Sequence, residues 1–221
     1  MPTDGPAPGL PKNAVITLAA TALAVLAGFA AVYVTLGRPD NAVPPIAPAG
    51  APADKAVAVP GATTNPLSQG HMAAFVFRKE PETLPEIKFQ DAGGREKTLA
   101  DWRGKVVLLN LWATWCLPCR KEMPALDRLQ KDFASDKFEV VAVSVDRKGL
   151  EPSKKFLDDA GVQQLALYAD PSARMSSTLR AVGLPATLLL DQQGREIGRL
   201  LGPAEWDSED AKRLIRAAMA K

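Results

Sequence analysis

The chain of 221 residues contains only two cysteines, and they stand three positions apart, at Cys116 and Cys119. Two randomly placed cysteines fall at this spacing in about 1% of arrangements, so the spacing indicates that they act together. A structural zinc site takes four ligands, and a disulfide framework takes more than one pair of cysteines. The pair therefore predicts thiol–disulfide exchange without a metal, and the alternative is an inert structural disulfide or a weak metal clip.

The residues around the pair predict a strand that gives way to a helix. Residues 106–113 form a continuous apolar run, and residues 119–132 carry apolar side chains at helical spacing. A cysteine at a helix N-terminus faces free N–H groups and the positive end of the helix dipole, and both favour the thiolate. We therefore expect Cys116 to be the exposed nucleophile. Cys119, one turn further on and more buried, is expected to resolve the mixed disulfide.

Several polar residues have two possible interpretations. Arg120 and Lys121 follow the pair directly and are interpreted as a solvated helix face, with cationic stabilisation of the thiolate as the alternative. Asp146 follows a predicted strand and is interpreted as a turn-forming residue, with a polar site near the cysteines as the alternative. His71 is the only histidine and has no metal-binding neighbours in the sequence, so it is interpreted as a surface residue.

The fold class follows from the order of the predicted elements. Strands are predicted over residues 87–89, 97–99, 106–113, 138–145, 165–169, 187–191 and 196–201, and helices over residues 119–132, 153–160, 173–180 and 206–219. A short apolar stretch over residues 72–77 is expected to cap the domain as a helix or a strand. Alternating strands and helices, closed by a hairpin and a helix, predict an α/β fold with a central mixed sheet flanked by helices.

The N-terminal part predicts a membrane tether. Residues 14–36 carry no charge, and a helix of that length spans roughly 35 Å, enough for the hydrocarbon core. We expect a single-pass transmembrane anchor with residues 1–13 in the cytoplasm; a cleaved signal peptide or a buried core helix is the alternative. Residues 37–74 are rich in Pro and Ala and predict an extended linker, and the folded domain is expected over residues 75–221.

The composition excludes other classes of partner. The net charge is only +2 and no run of Lys or Arg exceeds two residues, which argues against nucleic-acid binding. We expect a monomer with no cofactor beyond the redox-active disulfide between Cys116 and Cys119.

Two segments carry a resemblance to a known family. Residues 107–124 read VLLNLWATWCLPCRKEMP, which resembles the active-site segment of the thioredoxin superfamily, in particular its membrane-anchored, TlpA-like thiol:disulfide interchange branch. Pro124 matches the proline that kinks this helix in the family. Leu184 and Pro185, before an apolar strand, match the family's cis-proline segment. The likeness runs from about residue 84 to residue 219.

The resemblance implies a thioredoxin-like fold and a set of residues around the cysteine pair. Trp115, Leu117, Pro118, Leu184 and Pro185 are expected to shape access and support substrate binding, and Trp112 is expected to pack in the core.

One position departs from the family pattern. Thioredoxin has a buried acid six residues before its first cysteine, whereas this chain has Asn110, which cannot act as a base. Either Glu122 or water would then transfer the proton, or proton transfer would limit one step of the exchange.

The resemblance also implies a physiological role. We expect a protein of the bacterial inner membrane whose C-terminal domain lies in the periplasm. There it would reduce disulfides of copper chaperones or an oxidase subunit in cytochrome oxidase biogenesis, and a membrane thiol transporter would supply electrons.

Apocytochrome c reduction and general disulfide oxidation are alternatives within the same chemistry. A copper-binding assembly chaperone is disfavoured because no histidine follows Cys119. A related peroxidase is disfavoured because the separate upstream cysteine it needs is missing.

The roles of the two cysteines can be tested by trapping. Cys119→Ser should accumulate mixed disulfides through Cys116, because the residue that resolves them is gone. Non-reducing electrophoresis followed by mass spectrometry would identify the linked cysteine. Trapping by Cys116→Ser alone would reverse the assignment.

Overall fold

The structure is a computed structural model that describes residues 65–220. The predicted transmembrane anchor over residues 14–36, the predicted cytoplasmic segment over residues 1–13 and most of the predicted linker lie outside the described residues. Within the described part, no helix combines the length and apolarity needed to cross a membrane.

The described residues form eight strands and four α-helices. The strands are β1 (Val76–Thr83), β2 (Lys88–Asp91), β3 (Glu96–Thr98), β4 (Val106–Trp112), β5 (Phe138–Ser144), β6 (Tyr168–Ala169), β7 (Ala186–Leu190) and β8 (Arg195–Leu201). The α-helices are α1 (Leu117–Phe133), α2 (Leu150–Asp159), α3 (Arg174–Thr178) and α4 (Glu209–Met219), and two short 3-10 helices cover Gly70–Met72 and Leu99–Trp102.

The strands build one mixed sheet in the order β1-β8-β7-β4-β5-β6-β2-β3. Strands β4, β5 and β6 are parallel to one another, and the other pairs are antiparallel. All seven residues of β4 are buried, as expected of a central strand covered on both faces. The predicted α/β fold with a central mixed sheet and flanking helices is confirmed.

Alternation along β4 divides the core into two halves. Leu108 and its neighbours pack on one face of the sheet with the apolar sides of α1, α2 and α4. Leu109 and its neighbours pack on the opposite face with α3 and a cluster of aromatic rings. Since successive side chains on a strand point to opposite faces, Asn110 lies on the α1 side.

The edge strand β1 departs from the sequence-based prediction. The apolar stretch over residues 72–77 suggested a helix or a strand, but β1 runs on to Thr83 through Pro81. Its register against β8 shifts between Phe77 and Glu82. An edge strand tolerates a proline and charged side chains because one of its sides makes no ladder hydrogen bonds.

The sequence predicted that the folded domain begins at Phe75, but the packed structure begins before that residue. Met72 is fully buried, and Leu67 packs against the core formed with α1. The Ser68 hydroxyl donates to the Phe75 carbonyl at 2.7 Å. The His71 backbone N–H donates to the carboxylate of Asp210 in α4 at 3.0 Å. The residues described before Phe75 therefore belong to the packed structure rather than to an extended spacer.

The contribution of this segment to stability can be measured. Met72→Ala should lower the free energy of unfolding by about 2–5 kcal/mol, because it removes a fully buried side chain and leaves a cavity. Gln69→Ala, three residues earlier and exposed, is the matched control and should change it by less than about 0.5 kcal/mol. Equal effects in urea unfolding would show that Met72 does not belong to the core.

Candidate active site

The cysteine pair lies at the junction of β4 and α1 and is joined by a disulfide. Cys116 caps the N-terminus of α1, and its Sγ accepts a hydrogen bond from the Cys119 backbone N–H at 3.3 Å. Cys116 retains 6% exposure, whereas Cys119 is fully buried. One backbone N–H of the first turn therefore points at the sulfur of Cys116, and this contact favours its thiolate once the disulfide is reduced.

Exposed apolar side chains surround this disulfide. Trp115 is 70% exposed and Leu117 is 60% exposed, while Trp112 is buried beside Phe156. These positions agree with the predicted rim and core placements of the two tryptophans. Pro118 lies in the first turn of α1, where its missing N–H leaves no intrahelical bond unmade.

The segment before β7 reaches the same end of β4. Ala186 pairs with Leu111, so the antiparallel register places Pro185 beside Trp112. The peptide bond between Leu184 and Pro185 is cis, as the family resemblance implies. The Pro185 carbonyl accepts from the Gly202 N–H at 2.9 Å. The two family signatures, far apart in the sequence, therefore meet at one end of the sheet.

A buried ion cluster holds the chain that leads to Pro185. Arg199 donates to the Leu179 carbonyl at 2.9 Å, and Arg199 and Arg78 both bind the carboxylate of Glu196, which is fully buried. Burial raises the pKa of Glu196, but the hydrogen bonds from Arg199 and Arg78 outweigh it and keep the pKa below its ordinary value. Glu196 thus stays charged and keeps both arginines in place.

Asp146 holds the turn before Cys116. Its carboxylate accepts from the Thr114 backbone N–H at 2.8 Å and from the Thr114 hydroxyl at 3.2 Å. Ser144 donates to the same carboxylate at 3.0 Å. The alternative interpretation of Asp146, as part of a polar site near the cysteines, therefore describes its contacts better than a turn-forming role alone. The signal in the sequence was its place after a strand parallel to β4, since such strand ends share one edge of the sheet.

Glu122 lies inside the core, three residues after Cys119 on α1, so their side chains share one helix face. Asn110 Nδ2 donates to Glu122 Oε1 at 2.8 Å and to the Thr187 hydroxyl at 2.9 Å. The Ala204 N–H donates to Glu122 Oε2 at 3.2 Å. The sequence singled out Glu122 and Asn110 separately. Only the tertiary structure shows that they form one hydrogen-bonded cluster with Thr187 and Ala204.

Burial raises the pKa of Glu122 to about 7. The hydrogen bonds from Asn110 and Ala204 act in the opposite direction, and so does the indole of Trp206. The Trp206 N–H has no hydrogen-bond partner of good geometry among the described residues, so its effect on the Glu122 carboxyl group is the weakest of the three. A carboxyl group with a pKa near neutrality can both accept and return a proton at physiological pH.

A groove of about 640 Å³ joins this carboxyl group to the surface beside the disulfide. Leu117, Pro118, Glu122 and Ala204 are among the residues that line it. His71 also lines it and is half-exposed, with its Nδ1 3.4 Å from the Glu205 carboxylate. The groove is therefore open to solvent and largely apolar.

A larger groove of about 730 Å³ lies near the other end of the sheet, by the turn between β7 and β8. Gln192 lines this groove, and its carbonyl accepts a hydrogen bond from the Gly104 N–H, two residues before the start of β4. The disulfide, in contrast, follows the end of β4. Seven strand residues separate these ends by roughly 20 Å. Neither groove is lined by a cysteine, but Leu117 and Pro118, which stand between the two cysteines, line the smaller one, so we assign the chemistry there.

Arg120 and Lys121 are both exposed, in agreement with a solvated helix face. The Arg120 guanidinium lies 5.0 Å from the centre of the Phe156 ring. Among residues 65–220, no group of three or more His, Cys, Asp or Glu side chains is arranged to hold a metal ion.

Comparisons with known sequences agree with this site. The AhpC/TSA family matches residues 81–198. The thioredoxin-like protein YneN of Bacillus subtilis is 35% identical over 130 residues, which cover 58% of this chain and 75% of that protein. The thiol-disulfide oxidoreductase ResA of Geobacillus thermodenitrificans is 37% identical over 116 residues, covering 51% of this chain and 64% of that protein.

Solved structures show the same fold. A putative thiol:disulfide interchange protein DsbE from Chlorobium tepidum superposes with a TM-score of 0.57 at 29% identity, over 64% of this chain and 98% of that one. A DsbF homologue from Corynebacterium diphtheriae gives a TM-score of 0.55 at 26% identity, over 67% of this chain and 93% of that one.

The pKa of Glu122 predicts a pH dependence of stability. Between pH 4.5, the ordinary pKa, and about pH 7 the native state keeps a proton that the unfolded state has lost. The free energy of unfolding should therefore fall as the pH rises through this window. Glu122→Gln lacks this titrating group. The free energy of unfolding of the wild type minus that of the variant should therefore fall by on the order of 3 kcal/mol across this pH window.

The measurement is urea unfolding of the disulfide form of both proteins at several pH values between 4 and 8. Parallel profiles for the two proteins would contradict a raised pKa at Glu122.

Proposed function

Because this chain belongs to the AhpC/TSA family and has a thioredoxin-like fold, we propose that it is a thiol–disulfide oxidoreductase that reduces disulfides of specific partner proteins outside the cytoplasm. The exchange activity itself is shared with its relatives; the direction of electron flow and the location are the proposal. The observation that carries it is the Cys116–Cys119 disulfide, whose more exposed sulfur accepts an N–H at the N-terminus of α1.

The first step uses the dithiol form of the protein. The thiolate of Cys116 attacks one sulfur of the partner disulfide, a mixed disulfide forms, and the second partner sulfur leaves as a thiolate. The N–H group of Cys119 stabilises the charge on Cys116 before the attack. Trp115 and Leu117 present apolar surface around the reacting sulfur, and the segment at Leu184 and Pro185 lies at the same end of β4.

The second step needs a base for the buried thiol of Cys119. Glu122 is that base in this proposal, since it shares a helix face with Cys119 and its pKa lies near 7. Once Cys119 has lost its proton, it attacks the sulfur of Cys116, the bond between Cys116 and the first partner sulfur breaks, and that sulfur leaves as a thiolate. The partner gains two electrons and the protein returns to the disulfide form. Asn110, which cannot take a proton, orients the Glu122 carboxyl group instead.

The location is proposed from the sequence before the folded domain. The uncharged residues 14–36 would anchor the chain in a bacterial inner membrane, and the Pro- and Ala-rich segment after them would give the redox domain reach. A protein that reduces disulfides in an oxidising compartment needs a supply of electrons, for which we propose a membrane thiol transporter.

The partners are proposed from the resemblance to the TlpA-like branch. Copper chaperones or a copper-bearing oxidase subunit would be reduced before they receive copper during cytochrome oxidase biogenesis, because a metal site needs thiolates rather than a disulfide. Apocytochrome c is the alternative substrate within the same chemistry.

A redox titration tests the direction of electron flow. We expect the Cys116–Cys119 couple to have a reduction potential near or below about −200 mV, as suits a reductant; a value near about −120 mV would indicate an oxidant. The full chain is equilibrated with glutathione mixtures, and the dithiol fraction is read by alkylation and mass spectrometry. The Cys116→Ser/Cys119→Ser double variant sets the background of the alkylation.

A further inference from the structure

Two exposed cationic segments flank the turn that carries the disulfide. Arg120 and Lys121 lie in the first turns of α1, and Arg147 and Lys148 lie in the loop after β5. All four side chains are exposed. Within residues 65–220, none of the four forms an ion pair with an acidic side chain. Their charges therefore act outwards, toward a binding partner.

Contacts in the structure fix both segments at the disulfide. Arg147 directly follows Asp146, whose carboxylate binds Thr114, two residues before Cys116. On the other side, the Arg120 guanidinium lies over the Phe156 ring, which in turn packs on Trp112 at the end of β4. The loop after β5 and the first turns of α1 thus lie at the end of the sheet where β4 and β5 terminate.

Acidic side chains at this end do not balance these cations. Asp146 and Glu122 are buried and engaged in hydrogen bonds. Glu205 is exposed but stands beside His71, and Glu151 is the other exposed acid close to the turn. The whole chain has a net charge of only +2, so the cationic excess at the disulfide is local.

The same face has an apolar centre. Trp115 and Leu117 are exposed beside the disulfide, and Val182, in the segment that leads to Pro185, is 89% exposed. An apolar centre with a charged border is the usual organisation of a protein–protein interface. A membrane surface would also attract cations, but it offers no disulfide to Cys116, so a protein partner explains both the charges and the chemistry.

We propose that this face selects partner proteins whose disulfide is flanked by aspartate or glutamate side chains. The inference rests on the proposed exchange function and narrows its substrate class. Complementary charge raises association rates by about 10- to 1,000-fold at low salt, and the effect weakens as the Debye length shrinks. Such a preference makes the reaction specific without any change at the sulfur atoms.

The experiment compares two synthetic peptides, each closed by one disulfide and identical except for four glutamates or four lysines around it. The reduced full chain is mixed with each peptide at pH 7, and the second-order rate constant of disulfide reduction is measured. It is divided by the rate constant for reduction of the same peptide by 2-mercaptoethanol, which also reacts as a thiolate but carries no other charge, so the ratio removes the intrinsic reactivity of the peptide disulfide. We expect the acidic peptide to react about 10-fold faster or more at 20 mM salt. The ratio should fall toward one at about 500 mM salt, where screening is strong.

Charge reversal identifies the residues responsible. Arg147→Glu/Lys148→Glu should abolish or invert the preference while leaving the rate with an uncharged small disulfide unchanged. The matched control is Lys131→Glu/Lys137→Glu, which makes the same charge change at exposed positions near the far end of α1 and should keep the preference. Circular dichroism checks that both variants are folded.

The outcomes separate the two claims. If the wild type reduces both peptides at equal normalised rates, the acidic preference is wrong and the exchange function stands. If the preference is insensitive to salt, its proposed origin in the exposed cations is wrong and the exchange function stands. If it reduces neither peptide nor the uncharged disulfide, the exchange function fails and the preference with it. An equal loss of preference in both variants would mean that net charge, not this face, sets the selection.

Discussion

The hydrogen bond between Asn110 Nδ2 and Glu122 Oε1 ties the central strand to the catalytic helix inside the apolar core. Burying a carboxyl group among apolar side chains costs free energy unless its oxygens accept hydrogen bonds. The relative position of β4 and α1 must therefore bring donors to the Glu122 oxygens. In the observed alignment, Asn110 Nδ2 and the Ala204 N–H donate to its two oxygens. That alignment also sets where α1 begins, and therefore where Cys116 receives the N–H of Cys119.

Polar contacts of the same kind hold the two other chain segments of the site. Asp146 fixes the turn at Thr114, and the pair Arg199–Glu196 fixes the segment that continues to Pro185. Apolar burial in the core is not directional, so it does not by itself fix the position of a loop. Hydrogen bonds to a carboxylate or a carbonyl have preferred distances and angles and therefore fix the positions of these segments. The geometry of the disulfide end thus rests on a few buried charges, each satisfied by several partners.

Glu122 shows how stability and function oppose each other in this protein. Burial raises its pKa, so the charged form is disfavoured in the folded protein. The same property makes it a suitable proton acceptor near neutral pH. A neutral glutamine would be easier to bury, but it could not act as the base that we propose for Cys119. Functional sites commonly retain groups that lower stability in this way.

The sequence predicted the central elements well where their signal is local. The apolar run of β4, the helical spacing of α1 and the turn before β8 are patterns of burial and backbone conformation that neighbouring residues set among themselves. A capping helix or strand was predicted over residues 72–77, but the extension of β1 to Thr83 was not, because it carries charges and a proline, which edges tolerate and central strands do not. The packing of the residues before Met72 was also not predicted, because it involves α4, far away in the sequence.

By itself, the sequence determined the chemistry available to this protein. It contains one pair of cysteines at a predicted helix start, a Leu-Pro segment that resembles the cis-proline segment of the thioredoxin superfamily, and a glutamate three residues after the second cysteine. The tertiary structure decided which of these groups meet. Asp146 and Thr114 are joined only because parallel strands end at one edge of the sheet. The loop that carries Arg147 and Lys148 lies at the same edge of the sheet for the same reason. Contacts between residues distant in the chain depend on strand order and register, which local residue patterns do not encode.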